Sequence, residues 1–255
     1  MEIEILGAHM TEMAGAKPTA MVIDGVLAID AGSLCSSLSL DAQQKLEAIL
    51  LTHCHYDHIR DIPFIGMNVS GQRSVDIYSN PETLEALYTH LVDGKIYPDF
   101  LKWPEDQPAL RFITISPGEA FNVSGYSVVA VPVAHGVPTV GYQVSSPQGK
   151  KLFYTGDTGA GLDSCWQQIS PDLLITELSL PTRMEDWARK VTHLTPNLLH
   201  EELLQFRKVK GYLPSVLLIH LNPTLEDEIE KEVAQVAEEL GANIALGREG
   251  MKIQL

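Results

Sequence analysis

Three histidines and one aspartate lie within a single six-residue stretch of the sequence. They form the pattern H-x-H-x-D-H: His53, His55, Asp57 and His58. The apolar run 48–51 before them predicts a buried strand, and residues 59–66 after them predict a short helix turning back into the protein. Neutral imidazole and carboxylate groups bind zinc and also suit manganese or iron. The pattern therefore predicts a metal site at a strand end of an α/β protein.

Three later positions share this arrangement, because each follows an apolar run that predicts a strand. They are His135 after 129–134, Asp157 after 151–156 and His220 after 216–219. Strand ends that meet at one edge of a sheet can combine their side chains into one site. The sequence therefore predicts that these residues join the first stretch.

Five histidines and two aspartates divide into two sets of metal ligands. We expect His53, His55 and His135 to bind one ion, and Asp57, His58 and His220 to bind the second. Asp157 would bridge them. Two divalent ions about 3.5–4 Å apart hold a hydroxide between them and clamp an in-line displacement. The prediction is thus a binuclear hydrolytic centre.

The remaining pattern predicts strands and helices in alternating groups. Strands are expected at 2–7, in a hairpin turned at Asp24-Gly25, at 45–51, at 75–78 and in a run from 111 to 155. Helices are expected at 81–92, 161–169, 196–207 and 224–240, with strands at 172–176, 215–219 and 243–254. This order fits an α/β sandwich of two sheets with helices outside, built as one domain over residues 1–255. Residues 93–110 resist a regular assignment.

Composition limits the cellular setting and the partners. The chain has 255 residues, 45% of them hydrophobic, and its apolar runs are shorter than the ~20 residues of a membrane span. The acidic, alternating first residues suit a strand and not a signal peptide, and three cysteines suggest reduced thiols, so a cytoplasmic protein without a membrane partner is expected. A net charge of −15 argues against binding long nucleic acids and leaves a small anionic substrate open.

Several polar residues have a simpler structural interpretation. A lone histidine is more often hydrogen-bonded in the core or exposed, and His9, His90 and His200 show no partner pattern. Asp30 could support a metal ligand or could stabilise a turn, and the sequence leaves both open. Cys54 is expected to pack against the loop.

The predicted ligands, together with Thr155–Thr158, resemble the metallo-β-lactamase superfamily across nearly the whole chain. The resemblance implies an αβ/βα sandwich of two mixed β-sheets with helices outside. It also implies two divalent metal ions at one edge, most commonly zinc. Members often form homodimers.

Within that superfamily, four segments resemble the class II cyclic-nucleotide phosphodiesterases. They are 96–100, 176–181, 193–196 and 219–223. Tyr97, Asn222 and Arg60-Asp61 depart from the family pattern. The resemblance implies hydrolysis of cAMP or cGMP to 5′-nucleotides by attack of a metal-bridging hydroxide on phosphorus.

The same resemblance assigns catalytic roles. Asp57 would act at the metals, His193 would be the general acid for the leaving 3′-oxygen, and Glu177 would orient His193. Residues 93–110 could form a lid that stacks on the base, although core packing of their aromatic residues is the competing interpretation. The alternatives are a tRNA 3′-processing endonuclease, a lactone, ester or lactam hydrolase, and a metal-binding or nucleotide-sensing protein without turnover.

Overall fold

The computed structural model describes residues 1–255, which form two seven-stranded sheets. The first sheet contains β1 (Glu2–Gly7), β2 (Ala20–Ile23), β3 (Leu27–Ile29), β4 (Ala48–Leu50), β5 (Val75–Ser79), β6 (Leu110–Thr114) and β14 (Lys252–Gln254). The second contains β7 (Ala120–Val123), β8 (Tyr126–Pro132), β9 (Val140–Ser145), β10 (Lys151–Tyr154), β11 (Leu173–Glu177), β12 (Ser215–Ile219) and β13 (Ile244–Leu246). Their spatial orders are β14-β1-β2-β3-β4-β5-β6 and β13-β12-β11-β10-β9-β8-β7.

Helices cover the outer face of each sheet. On the first sheet lie α1 (Leu34–Ser37), α2 (Leu40–Gln43), α3 (Tyr56–Ile59), α4 (Ile62–Val69) and α5 (Pro81–His90). On the second lie α6 (Asp163–Gln168), α7 (Glu185–Val191), α8 (Pro196–Lys210) and α9 (Glu226–Leu240), with a short 3-10 turn at Thr182–Met184. The result is the four-layer αβ/βα sandwich of mixed sheets that the sequence predicts, so the predicted fold class is confirmed.

Three apolar clusters hold the layers together. The central one lies between the sheets and includes Ile5 and Leu50 from the first sheet and Tyr142 and Ile175 from the second, all fully buried. The other two lie between each sheet and its helices. Strands at the middle of each sheet are therefore buried on both faces, which explains their continuous apolar runs.

The parallel strands decide where a site can form. β3, β4, β5 and β6 run parallel, as do β10, β11, β12 and β13. Parallel strands bring their carboxyl ends to one edge of the sheet. Every strand that precedes a predicted ligand ends at this edge.

Two local predictions are wrong. The run 243–254, expected as one strand, is divided between β13 and β14, because a turn at 247–251 carries the chain from the second sheet to the first. The last long helix begins at Glu226, not Thr224, because the Thr224 hydroxyl and amide both donate to Asn222 Oδ1 in a local turn.

Residues 93–110 form turns along the first sheet's outer layer. Phe100 is fully buried, and a Cβ built on Gly66 would lie 2.6 Å from its ring, so glycine is needed there. The Tyr97 ring meets Phe64 edge-on at 5.5 Å, and Trp103 is half exposed. A lid role for this segment stays a prediction. No helix of the protein combines the length and the apolar character needed to cross a membrane.

Candidate metal centre and active site

The predicted ligands meet at the edge where the two sheets face each other. The first sheet supplies the residues after β4, and the second supplies those after β8, β10 and β12. The turns are tight: His220 and Asp30 adopt left-handed φ values of 60° and 56°. At Gly156, φ is 65° and a Cβ would lie 2.8 Å from Thr52 Cβ. Backbone strain of this kind is tolerated where the surrounding structure enforces it, commonly at functional sites.

One group of ligand atoms comes from His53, His55, His135 and Asp157, and all four atoms lie within 4.8 Å of one another. His135 Nε2 lies 3.2 Å from His55 Nδ1 and 3.8 Å from Asp157 Oδ2. His53 Nε2 lies 3.6 Å from Asp157 Oδ2. Ligands about 2.1 Å from a tetrahedral ion are about 3.4 Å apart, so these spacings fit one ion.

A second group comes from Asp57, His58 and His220. Asp57 Oδ2 lies 3.5 Å from His58 Nε2 and 3.2 Å from His220 Nε2. Asp157 approaches this group too, since its Oδ1 is 3.3 Å from His58 Nε2 and its Oδ2 is 3.3 Å from His220 Nε2. Asp157 therefore lies between the groups, where a bridging ligand would be.

Unsatisfied polar atoms give an independent test of the fit. His53 Nε2, His58 Nε2 and Asp157 Oδ1 are buried without a hydrogen-bond partner. The short His58–Asp157 contact lacks hydrogen-bond geometry. An orphaned buried polar atom costs free energy, so several aimed at one point need a partner. Two divalent cations would satisfy all three atoms, and the donor set is one that such ions accept.

In His58, His135 and His220, hydrogen bonds engage Nδ1, which leaves Nε2 for a metal. Asp30 Oδ2 lies 2.7 Å from His58 Nδ1, and Ser179 Oγ lies 2.8 Å from His220 Nδ1. His135 Nδ1 lies 3.1 Å from the Thr192 carbonyl, which must accept from it. Outer contacts of this kind set the tautomer and orientation of metal-binding histidines. Of the two interpretations of Asp30, the structure favours support of a ligand.

Electrostatics also favour cations. Burial lowers the pKa of His53, His55 and His135, which keeps these rings in the neutral form that binds metal. Burial also opposes protonation of His58, but Asp157 and Asp30 outweigh it and raise the pKa of His58. The carboxylates around His58 thus require positive charge, which a metal ion can supply in place of a proton.

His193 and Glu177 form a pair beside the two groups. His193 Nδ1 lies 2.6 Å from Glu177 Oε1, and Glu177 is fully buried. Burial lowers the pKa of His193, but Glu177 outweighs this and raises it to about 9. Glu177 Oε2 also accepts from Ser179 Oγ at 2.8 Å. The raised pKa favours the protonated ring at neutral pH, and His193 Nε2 has no hydrogen-bond partner in the protein.

An open cleft of about 480 Å³ exposes the site. Its floor includes Asp57, Asp157, His193 and His220. His193 also lies close enough to Asp157 and His220 to be considered as a ligand itself. Its Nδ1 is already bound to Glu177, so only Nε2 could serve, either for a metal or for substrate. All nine sequence-predicted site residues thus converge here.

Sequence analysis missed the residues that orient the ligands. The Thr52 hydroxyl forms hydrogen bonds with both Asp30 and His53. It lies 2.9 Å from Asp30 Oδ2 and 3.0 Å from His53 Nδ1. Ser179 and Thr192 do the same for the second sheet. The only signal in the sequence is that Thr52, Ser179 and Thr192 each lie within two residues of a predicted site residue.

A two-sheet αβ/βα sandwich with paired His/Asp groups at its edge defines a metal-dependent hydrolase of the metallo-β-lactamase fold. Residues 21–221 match the model of the family described as the Beta-lactamase superfamily domain, and the chain belongs to that family. The predicted superfamily is thereby confirmed.

Among solved structures, unliganded yeast PDE1 has the same fold with a TM-score of 0.84 and 18% identity, covering 100% of this chain and 99% of the other. The chain is 30% identical to Ribonuclease J 1 of Streptococcus pyogenes over 135 residues, which are 52% of this chain and 21% of that protein. It is 31% identical to Ribonuclease Z of Acaryochloris marina over 107 residues, which are 39% of this chain and 30% of that protein. The match thus covers less than a third of each curated relative.

Proposed function

We propose that this protein is a phosphodiesterase that hydrolyses 3′,5′-cyclic nucleotides to 5′-nucleotides with two divalent ions, zinc being the best match to the donors. The observation that carries the proposal is the His193–Glu177 pair, with a protonated ring whose Nε2 is free beside the ligand groups. Cleavage of a cyclic phosphodiester produces an alkoxide leaving group, which needs a proton.

The seven clustered side chains would hold the ions in two sets. In this proposal His53, His55 and His135 would form one set and Asp57, His58 and His220 the other, with Asp157, which is close to both sets, shared between them. When bound, such ions neutralise phosphoryl charge and supply activated water as the nucleophile. Hydrogen bonds from Asp30, Thr52 and Ser179 would hold the ligand side chains in place around the ions.

The His193 ring would donate its Nε2 proton to the departing 3′-oxygen. Glu177 holds the opposite nitrogen and keeps the ring charged until the P–O bond breaks. A lactone, ester or lactam hydrolase has no equivalent need for a histidine held protonated at neutral pH. The pair therefore favours a phosphodiester over these acyl substrates.

An RNA-processing endonuclease is the second candidate, because the curated relatives are Ribonuclease J 1 and Ribonuclease Z. The sequence charge of −15 opposes it, since RNA binding requires clustered Lys and Arg on the phosphates. A small diester with one phosphate avoids this repulsion. We therefore place it second.

The deciding assay compares substrates on the purified protein loaded with Zn²⁺ or Mn²⁺. cAMP, cGMP, bis(p-nitrophenyl) phosphate, a precursor tRNA and a lactone are incubated separately, and products are separated by chromatography. We expect 5′-nucleotides from the cyclic substrates. Lactone turnover without phosphodiester cleavage would refute the proposal, and tRNA cleavage without cyclic-nucleotide cleavage would support the second candidate.

Metal content tests the bridging position separately. Asp157→Ala should lower metal occupancy, measured by elemental analysis after gel filtration, and should abolish phosphodiester cleavage. Removal of metal by a chelator should also lower the melting temperature, because ions that bind only the folded state stabilise it. Full occupancy in Asp157→Ala would show that Asp157 is not a bridge.

A further inference from the structure

The cleft contains one strong cation that the proposed chemistry does not use. Arg60 is the only lysine or arginine that lines it. Loop residues Met10, Thr11, Glu12 and Pro18 form the wall of the cleft beside the ligand groups. In a protein with net charge −15, a lone arginine facing a substrate cleft needs an explanation.

The Nε end of the Arg60 guanidinium is held in place by Asp61. Its Nε lies 3.4 Å from Asp61 Oδ1, and Asp61 is only 4% exposed. The other oxygen of Asp61 accepts the Cys35 amide at 2.7 Å, which fixes the carboxylate. The Arg60 side chain is itself only 18% exposed. Its two terminal nitrogens therefore have little freedom to turn away from the cleft.

Those terminal nitrogens already bind a carboxylate. Arg60 Nη1 contacts Glu12 Oε2, and Nη2 donates to Glu12 Oε1 at 3.2 Å. This bidentate contact is the geometry with which arginine binds both carboxylate and phosphate. Glu12 lies in the loop wall with 52% of its side chain exposed, so the pair is at the cleft mouth and reachable from solvent.

We propose that Arg60 is a second anion-binding position, which takes a phosphoryl or carboxylate group of the substrate remote from the scissile phosphodiester. Glu12 occupies this position in the free protein and is displaced by the substrate anion. The inference rests on the proposed function, since it assumes that the scissile phosphate lies at the ligand groups. It adds affinity for phosphodiesters that carry a second anionic group, whereas cAMP, which carries one, would bind at the ligand groups without using Arg60.

Energetics allow this exchange. Glu12 is the exposed partner, with 52% of its side chain accessible, and an ion pair open to solvent on one side contributes little to stability, so releasing Glu12 costs little. Glu12 returns to water, and the substrate anion receives the same charge-assisted hydrogen bonds in its place. The net gain comes from tethering, because the substrate is already held at its first phosphate and the second contact is intramolecular.

The test measures binding by calorimetry on the metal-loaded protein with two nucleotides. Adenosine 3′,5′-bisphosphate has a second phosphate that 5′-AMP lacks. We expect the wild type to bind the bisphosphate about tenfold more tightly. In Arg60→Gln this ratio should fall to near one, whereas Arg60→Lys should keep part of it as a point charge.

A matched control is the Arg183–Glu228 pair. It is also bidentate, with contacts of 2.8 and 3.2 Å, but it lies outside the cleft. Arg183→Gln should leave the ratio at the wild-type value. Glu12→Gln removes the competing charge at an exposed position and should increase the ratio above that of the wild type.

Two results would overturn the inference. An unchanged ratio in Arg60→Gln would show that Arg60 only ties down the loop, and weaker bisphosphate binding in Glu12→Gln would show that Glu12 is no competitor. Hydrolysis of bis(p-nitrophenyl) phosphate by the wild type is recorded separately. Absence of this hydrolysis, together with absence of cAMP and cGMP hydrolysis, would remove the proposed function, while the binding ratio would still decide whether Arg60 binds an anion.

Discussion

Two histidine–glutamate pairs in this molecule have the same contact distance but differ in the surroundings of the second ring nitrogen. At the cleft, His193 Nδ1 lies 2.6 Å from Glu177 Oε1. At the other pair, His9 Nδ1 also lies 2.6 Å from Glu249 Oε1. Both pairs are largely buried. The contact alone therefore does not tell a catalytic pair from a structural one.

Each glutamate also holds a loop through a backbone amide. Glu177 Oε1 accepts from the Thr158 amide at 3.2 Å, beside Asp157. Glu249 Oε1 accepts from the Lys17 amide at 2.9 Å, at the end of the loop that forms the cleft wall. Anchoring of a neighbouring segment is thus common to both pairs.

The second ring nitrogen separates them. His9 Nε2 lies 3.3 Å from Glu226 Oε2, so both of its nitrogens are engaged by carboxylates. His193 Nε2 is free, and the ring lies near His135 and His220, two predicted ligands, at centroid distances of 5.2 and 5.5 Å. A ring with both ends bound can only hold structure together. A ring with one end open to a cleft can transfer a proton.

The strongest test of this contrast is His193→Ala. We expect hydrolysis of cAMP to fall about 10²–10⁴-fold, the usual contribution of a positioned general acid. Bis(p-nitrophenyl) phosphate should be affected much less, because p-nitrophenolate leaves as a stable anion without a proton. Steady-state kinetics on both substrates, with elemental analysis of metal, measure this.

The matched control is His9→Ala, which removes an imidazole from the structural pair. Its turnover of both substrates should remain close to that of the wild type. Metal loss in His193→Ala would make His193 a ligand, and equal losses on both substrates would contradict its role as an acid.

Glu177→Gln comes next in expected effect. The amide keeps the shape and can still hold the Thr158 amide and Ser179, but it removes the charge that keeps His193 protonated. We expect cAMP turnover to fall about 10–100-fold, as for other residues that orient a functional side chain. The loss should be smaller than that of His193→Ala in the same assay. A larger loss accompanied by missing metal would mean that Glu177 supports the ligands instead.

Removing His9 from the His9–Glu249 pair should lower the stability of the protein. His9→Ala leaves Glu249 and Glu226 without their shared partner, so we expect the free energy of unfolding to fall by about 1–3 kcal/mol. Urea denaturation followed by circular dichroism measures it. Unchanged stability would show that the two carboxylates find other partners. It would contradict the structural role of His9.

The smallest expected effect is the pH dependence of the stability that His9 contributes. Burial lowers the pKa of His9, but Glu249 and Glu226 outweigh it, so the pKa ends above the usual 6.5. Burial raises the pKa of Glu249, but His9 and the Lys17 amide lower it to about 2. The His9 contribution is complete below 6.5 and disappears as pH rises through the raised value. The Glu249 contribution is complete above 4.5 and disappears as pH falls towards 2.

The stability difference between wild type and His9→Ala should therefore be largest between pH 4.5 and 6.5 and should shrink above that range. Urea denaturation of both proteins, across this range and at higher pH, measures the difference. A difference that grows with increasing pH would have the wrong sign for a raised histidine pKa.

The sequence alone determined the fold class and the contiguous part of the site. His53, His55, Asp57 and His58 are recognisable because their spacing is local, and a short loop after one strand brings them together whatever the rest of the chain does. Apolar runs of strand length likewise fixed the sheets, because burial on both faces leaves a continuous pattern. The residues after β8, β10 and β12 were predicted from the same polar strand endings.

The tertiary structure decided which histidine has a free nitrogen. His9 and His193 are separated from their glutamates by 240 and 16 residues, and neither separation indicates what else surrounds the ring. The Glu12–Arg60 pair cannot be recognised in the sequence either, since its members are 48 positions apart. Long-range packing sets the hydrogen-bond partners and the dielectric around each group. Proton transfer depends on these surroundings, and a linear pattern does not encode them.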